Sequence, residues 1–276
     1  MTQRAALLLC PITLQIELPA ATDKVIPGVP WGSVDAFPTP AYWAYQVIAQ
    51  RAVGKPVRYR LGSTLTEEVA ACLLGGHGIP ASVGVAAFHR LKSVGALEGI
   101  PTQEELHALL LEPLLVNGRS IRYRFARQKA RYLSEALTIL STSSPPVSSG
   151  RALRDALLEL PGVGYKTAAW IARNWLDADD VAILDIHILR AGHLAGFFSP
   201  GLSVTKDYLA LEEQFLAFSL GLGVRASELD AVIWLEMATT SSVRHLMRPA
   251  KVNGPTPRSR RTHIRRPNSH QGSLVD

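Results

Sequence analysis

The sequence predicts a mostly α-helical protein with a short strand in its N-terminal segment, and three features lead there. From about residue 64 to residue 240, apolar side chains recur at the three-and-four spacing of a helix face. Gly75, Gly76, Gly95, Gly118 and Gly150 punctuate that stretch at places suited to helix ends. Finally, "GRALRDALLELPGVGYKTAAWIARNWL" sets two amphipathic helices on either side of a bare turn, "PGVG".

In chain order, "PITLQIEL" alternates apolar and polar residues as a half-buried strand does. A stretch rich in proline and aromatics follows, with Trp31, Phe37, Tyr42, Trp43 and Tyr45, and within it "TPAYWAYQVIAQRA" reads as a helix with Pro40 at its first position. Residues 1–60 are expected to pack on the main domain as an aromatic-rich extension. "TLTEEVAACLLGG" opens the helical region with Thr64 or Thr66 as its cap, and "ASVGVAAFHRLKSVG", "TQEELHALLLEPLL", "RYRFARQKARYLSEALTIL" and "GRALRDALLEL" continue it. The segment "STSSPPVSSG", 141–150, reads as a connector between two helical layers. After the "PGVG" turn and its second helix, extended "VAIL" leads to Asp185, a residue type suited to capping the helix "IHILRAGHLAGF". There is no internal repeat.

Charge is unevenly placed. The chain carries 29 Lys and Arg against 23 Asp and Glu. Seven of those cations (Arg248, Lys251, Arg258, Arg260, Arg261, Arg265 and Arg266) and a single acid, Asp276, lie in the tail 248–276, so residues 1–247 are formally neutral. That tail, with many Pro, Ser and Asn, is expected to be disordered alone, either as an arm for phosphates or as a solvated end. Attraction of the folded part, 61–247, for a polyanion must therefore come from local clusters. Two cysteines, Cys10 and Cys72, are too few for a thiolate zinc site or an iron–sulfur cluster, and both read as buried small hydrophobes, so no metal or cofactor is expected. With no apolar run long enough for a membrane span and no convincing signal peptide, the expected setting is cytoplasmic.

The turn raises the chemical question. Proline ends the first helix, and the glycines of "PGVG" leave the N–H groups of Gly162 and Gly164 at a helix N-terminus, an anion site suited to phosphate. Lys166 falls in the first turn of the same helix, where the dipole disfavours an ammonium group.

"LPGVGYKTAAW" followed by "VAILDIHILRAG" resembles the helix-hairpin-helix and Gly/Pro-Asp signature of the DNA glycosylase superfamily. With "RYRFARQKARYLSEA" and "ASELDAVIWLEMAT", the chain is most similar to the second Ogg family of 8-oxoguanine DNA glycosylases over roughly residues 64–240. The resemblance implies two helical subdomains with a cleft between them and a bifunctional glycosylase and AP lyase without metal. Its partner would be double-stranded DNA containing a damaged base, met by a monomer at the chromosome. It assigns Lys166 as nucleophile and Asp185 as its carboxylate partner. The chemistry fits that pair. Cleaving an N-glycosidic bond develops positive charge on the sugar, which a fixed carboxylate stabilises, and an amine can capture C1′ as a Schiff base. A dry pocket at a helix N-terminus would favour the neutral amine. The plainer roles, phosphate grip for Lys166 and helix cap for Asp185, stay open. His187 and Arg190 follow one turn apart, and the histidine reads as structural.

For holding DNA, "NGRSIRYRFARQKAR" gathers Arg119, Arg122, Arg124, Arg127, Lys129 and Arg131 without an acid, and Tyr123 and Phe125 offer aromatic faces among them. The resemblance implies Phe125 and Trp234 as the base pocket, and places "GGHGIP" where a loop enters the duplex, with His77 and Ile79 as the inserting residues. Archaeal members end soon after the helix resembling "ELDAVIWL" with a C-terminal lysine in the base pocket, whereas this chain continues. Two other readings remain: a catalytically silent DNA-binding protein, and a glycosylase for another modified base.

Overall fold

The computed structural model describes residues 2–54, 59–76 and 78–239. The tail 248–276 lies outside these residues. The strand expected in "PITLQIEL" is one arm of a hairpin, β1 (Gln3–Leu9) against β2 (Ile12–Leu18), with Leu9 opposite Ile12 and Gln3 opposite Leu18. The three consecutive leucines of β1 break the period-2 pattern that marks a strand, which conceals it in the sequence. Cys10 is one of the two turn residues and is exposed, contrary to the buried role expected for it, whereas Cys72 is buried. Two short strands follow, β3 (Lys24–Ile26) and β4 (Val29–Pro30). Then comes α1 (Pro40–Ala52), capped by Thr39, whose hydroxyl accepts the Tyr42 N–H at 3.2 Å.

The helical region opens with α2 (Leu65–Leu74), and of the two candidate caps it is Thr64 that accepts the Glu67 N–H. Next come α3 (Ala81–Ser93) and α4 (Gln103–Leu111), the latter started by a reciprocal capping box between Thr102 and Glu105. Two boundaries differ from expectation. "EPLL" leaves the helix and enters a hairpin, β5 (Leu114–Val116) and β6 (Arg119–Ile121), turned by Asn117 and Gly118 at φ 50° and 74°. That Asn-Gly pair is the composition a two-residue turn requires. The basic segment then starts as loop, and α5 begins only at Ala126 (Ala126–Thr142). The chain continues as α6 (Gly150–Leu157), α7 (Tyr165–Leu176), α8 (Ile186–Ala195), α9 (Tyr208–Leu222) and α10 (Ala226–Thr239).

These helices sort into two layers. Val69, Phe88, Leu106, Leu133, Leu157 and Ile171, from α2 to α7, belong to one continuous core. In the second layer α8 packs on α10, α10 on α9, α1 on both α9 and α10, and β3 on α9. Trp43, Ile188, Phe215, Phe218 and Ile233 are fully buried there, each such side chain stabilising the fold by roughly 1.5–3 kcal/mol. The connector 143–149 therefore joins α5 and α6 within one layer rather than linking two, since Leu133 and Leu153 share a core. The passage between layers is the stretch 177–185 after α7. Two ion pairs tie the layers together: Arg154 of α6 with Glu212 of α9, and Arg173 of α7 with Asp230 of α10 at 2.8 Å, all four side chains buried. Among the described residues no helix is long and apolar enough to cross a membrane.

Candidate active site

The turn between α6 and α7 is built by its own backbone. Leu160 and Val163 donate to the carbonyls of Leu157 and Leu160, and Val163 is buried. Gly162 takes φ +78°, and a Cβ there would stand 2.3 Å from the Tyr132 ring. Gly164, the N-cap of α7, has open space where a Cβ would be. The N–H groups of both glycines donate to no partner among the described residues. Gly162→Ala should therefore lower stability by roughly 1–3 kcal/mol, from left-handed backbone strain and a displaced tyrosine. Gly164→Ala should stay within about 1 kcal/mol. Thermal unfolding of the two variants checks the contrast.

Lys166 is the second residue of α7, and its Nζ lies 3.5 Å from Asp185 Oδ2. Asp185 also caps α8: its other oxygen, Oδ1, accepts the N–H groups of His187 and Ile188 at 2.8 and 3.1 Å. Capping and pairing with lysine thus coexist, one oxygen for each. The carboxylate is mostly enclosed, at 12% exposure, while the lysine is 46% exposed. The pocket is accordingly not dry around the amine, contrary to the sequence expectation, because α7 begins at the surface.

The segment that leads to Asp185 is held from α9. The Ala182 N–H donates to Glu212 Oε1 at 3.0 Å, the Tyr208 hydroxyl donates to the Ala182 carbonyl at 2.6 Å, and the Leu184 N–H donates to the Tyr208 oxygen at 3.2 Å. Nearby on α10, the Asp230 carboxyl is pushed up to about 7 by burial against the pull of its partner Arg173. Sequence reasoning misses all of these supporting residues. A signal for them exists, since Tyr208, Leu211, Phe215, Phe218 and Leu222 are buried at helical spacing. His187 is half-buried with an unpartnered Nδ1, and Arg190 is exposed.

The residues expected to hold DNA divide. Arg122, Arg124 and Arg127 are exposed around the start of α5. Lys129 is not free in the same way: its ammonium donates to the Gly75 carbonyl at 3.2 Å, and burial lowers its pKa. Tyr123 offers no stacking face, since it is buried with its hydroxyl on the Leu74 carbonyl at 2.6 Å. Phe125 is half-buried against the first core, with the Arg124 guanidinium 5.1 Å from its ring centroid. Trp234 stands on α10 of the second layer and is 48% exposed, so it is no core aromatic. Ile79, the other candidate for entering a duplex, is buried as part of the first core and so presents little surface to a duplex. His77 lies outside the described residues.

A cleft of about 660 Å³ between α1, α7 and α10 is lined by Arg51, Arg60, Arg173, Trp175, Arg225 and Glu228 among others. It adjoins the C-terminal half of α7, roughly 10 Å or more along the helix from Lys166. Lys166 and Asp185 therefore lie at the mouth of the hairpin and do not line that cleft. Among the described residues no group of three His, Cys, Asp or Glu forms a metal site.

Known proteins are similar to this chain in sequence. The 8-oxoguanine DNA glycosylase/AP lyase of Metallosphaera sedula is 28% identical over 201 residues, 67% of this chain and 89% of that one. The protein of the same name from Thermoplasma acidophilum is 32% identical over 123 residues, 43% of this chain and 59% of that one. A crystal structure of the Methanocaldococcus jannaschii 8-oxoguanine glycosylase/lyase, in complex with a 15-mer DNA containing 8-oxoguanine, is 26% identical with a TM-score of 0.48, covering 64% of this chain and 81% of that one. The family model described as 8-oxoguanine DNA glycosylase, Ogg-HhH, matches residues 60–224, a span that takes in the hairpin, Lys166 and Asp185. The chain belongs to the Ogg-HhH family of 8-oxoguanine DNA glycosylases.

Proposed function

We propose that the protein is a bifunctional DNA glycosylase and AP lyase that excises an oxidised purine, 8-oxoguanine, from double-stranded DNA. The observation that carries this reading is the 3.5 Å approach of Lys166 Nζ to Asp185 Oδ2 beside the unpaired N–H groups of Gly162 and Gly164. Family membership and the names of the relatives support it.

The steps follow from the groups present. The backbone N–H donors of the hairpin and the first-turn dipole grip a phosphate near the lesion. The damaged nucleotide leaves the stack, because C1′ of a paired base is out of reach of a side chain. As the C1′–N9 bond breaks, the bonding electrons leave with the base, which takes up a proton. The positive charge left on the sugar is met by the Asp185 carboxylate. The Lys166 amine supplies an electron pair to C1′, loses a proton, and forms a Schiff base as the ring oxygen departs and is protonated. Loss of a C2′ proton then expels the 3′ phosphate by β-elimination. Since the free lysine is half exposed, the bound strand itself supplies the exclusion of water that strengthens these interactions.

Arg122, Arg124 and Arg127 add phosphate contacts, and Lys129 acts from behind by holding the Gly75 carbonyl of the loop before α3. Substituting the three arginines by alanine should weaken binding to damaged and undamaged duplex alike. The slope of log K against log salt should fall by about 0.9 for each phosphate that is no longer neutralised. Phe125 and Trp234 are the aromatic faces for the extruded base, the latter exposed on α10. A second reading, a glycosylase for another modified base, is favoured by one feature: the family match ends at residue 224, before Trp234 on α10. Borohydride trapping on duplexes carrying 8-oxoguanine, uracil, thymine glycol or an abasic site decides between them. A covalent adduct on 8-oxoguanine is expected, an adduct on another base alone transfers the activity to that base, and none on any substrate leaves a DNA-binding protein.

A further inference from the structure

The amine and the carboxylate come from different helices, and each is preceded by a residue that touches the same side chain. Tyr165, just before Lys166, stacks on Tyr208 with ring centroids 5.3 Å apart and planes 17° from parallel. Leu184, just before Asp185, donates its N–H to the Tyr208 oxygen, while the Tyr208 hydroxyl donates to Ala182 on the same extended segment. Tyr208 is 5% exposed and sits at the start of α9. Burial holds its phenol well above the usual range, so it remains a neutral donor. A second set of contacts runs in parallel: the Arg154 guanidinium lies 6.0 Å from the Tyr165 centroid and pairs with Glu212, and Glu212 accepts the Ala182 N–H.

We infer that Tyr208 is a positioning residue that sets the separation of Lys166 and Asp185 through two independent contacts, its ring for the lysine side and its hydroxyl for the aspartate side. The ring fixes the rotation of the first turn of α7. A slide of Tyr165 off its partner would swing Lys166 about the helix axis. The hydroxyl clamps residues 182–184, which have no strand partner among the described residues, and so fixes where Asp185 starts α8. A residue joined to both groups sits where a small displacement is costly, since about 1 Å of misplacement removes roughly 10²-fold in rate.

This rests on the catalytic roles proposed for Lys166 and Asp185, and the two contacts are separable by substitution. Tyr208→Phe keeps the stack and removes the hydroxyl. Single-turnover excision from an 8-oxoguanine duplex should fall roughly 10- to 100-fold, with duplex affinity unchanged, while strand cleavage of a preformed abasic duplex falls no more than about threefold. Tyr165→Leu removes the stack and keeps the hydroxyl, so borohydride trapping and abasic-site cleavage should fall about 10-fold or more, with Tyr165→Phe restoring what leucine loses. A purely structural role would lower both reactions by one common factor, the loss of folded protein. Equal losses in both reactions for Tyr208→Phe, or no loss in either, overturn the inference. Failure of the underlying reading shows differently, as trapping that persists in Lys166→Ala whatever the tyrosine variants do.

Discussion

Lys166→Ala yields no borohydride-trapped complex on damaged or abasic duplex, and cleavage of an abasic site falls by about three orders of magnitude or more. The size of the effect follows from the chemistry assigned to the amine. Without it no covalent bond to C1′ forms, and neighbouring cations can hold a phosphate but cannot supply the electron pair. Stability should barely change. Lys166 is half exposed and its ion pair with Asp185 is correspondingly weak. Its removal also relieves a cation from a helix N-terminus, a gain of roughly 0.3–1 kcal/mol. Affinity for intact duplex should fall by less than about tenfold, because only one charge among several is removed. If Lys166 served only to grip phosphate, the pattern would invert, with binding reduced and trapping retained at saturating DNA.

The second large effect separates the two things Asp185 does. Asparagine caps a helix as well as aspartate, so Asp185→Asn keeps the hydrogen bonds to the His187 and Ile188 N–H groups. It removes only the charge at Oδ2. Base excision should fall by roughly 10²–10³-fold, the scale of losing one well-placed electrostatic group, while the melting temperature stays near that of the parent. Asp185→Ala loses the cap as well and should cost about 1 kcal/mol of stability on top of the same kinetic loss. A carboxylate needed only as a cap would give the opposite order, with asparagine fully active and alanine impaired in proportion to unfolding. Rates and thermal melts of the three proteins read both properties.

Part of this arrangement is legible in the chain itself. Lys166 and Asp185 are nineteen residues apart, joined by one helix and an extended segment. The local signals that place them are the turn glycines, the helix start and an aspartate before an apolar helix, and these act within a few residues. The supporting residues depend on distant packing. Tyr208 and Glu212 reach residues 182–184 from a helix whose buried positions recur at the proper spacing, yet nothing local in that helix points to the segment it holds. Direction is the other thing the sequence does not display. Arg122, Lys129, Tyr123 and Ile79 read alike as residues near a DNA-facing loop. The fold exposes the first, ties the second to a carbonyl and buries the last two. A one-residue change in facing on a short segment decides each case, and composition does not encode it. The β5–β6 hairpin escapes a sequence reading for a simpler reason: apolar "LLV" continues the helical pattern of α4, and the Asn117–Gly118 turn outweighs it.

In the proposed reaction the Lys166 amine bonds to C1′ of the damaged nucleotide. That bond is tested most directly by reducing the complex of the wild-type protein with an 8-oxoguanine duplex using borohydride, digesting it with trypsin and the DNA with nuclease, and locating the sugar adduct by mass spectrometry. A reduced adduct at Lys166 blocks cleavage there, so the account predicts one modified peptide running from Asp155 to Arg173, with the added mass on the lysine. An adduct on any other lysine or on the N-terminal amine, with Lys166 cleaved and unmodified, contradicts it.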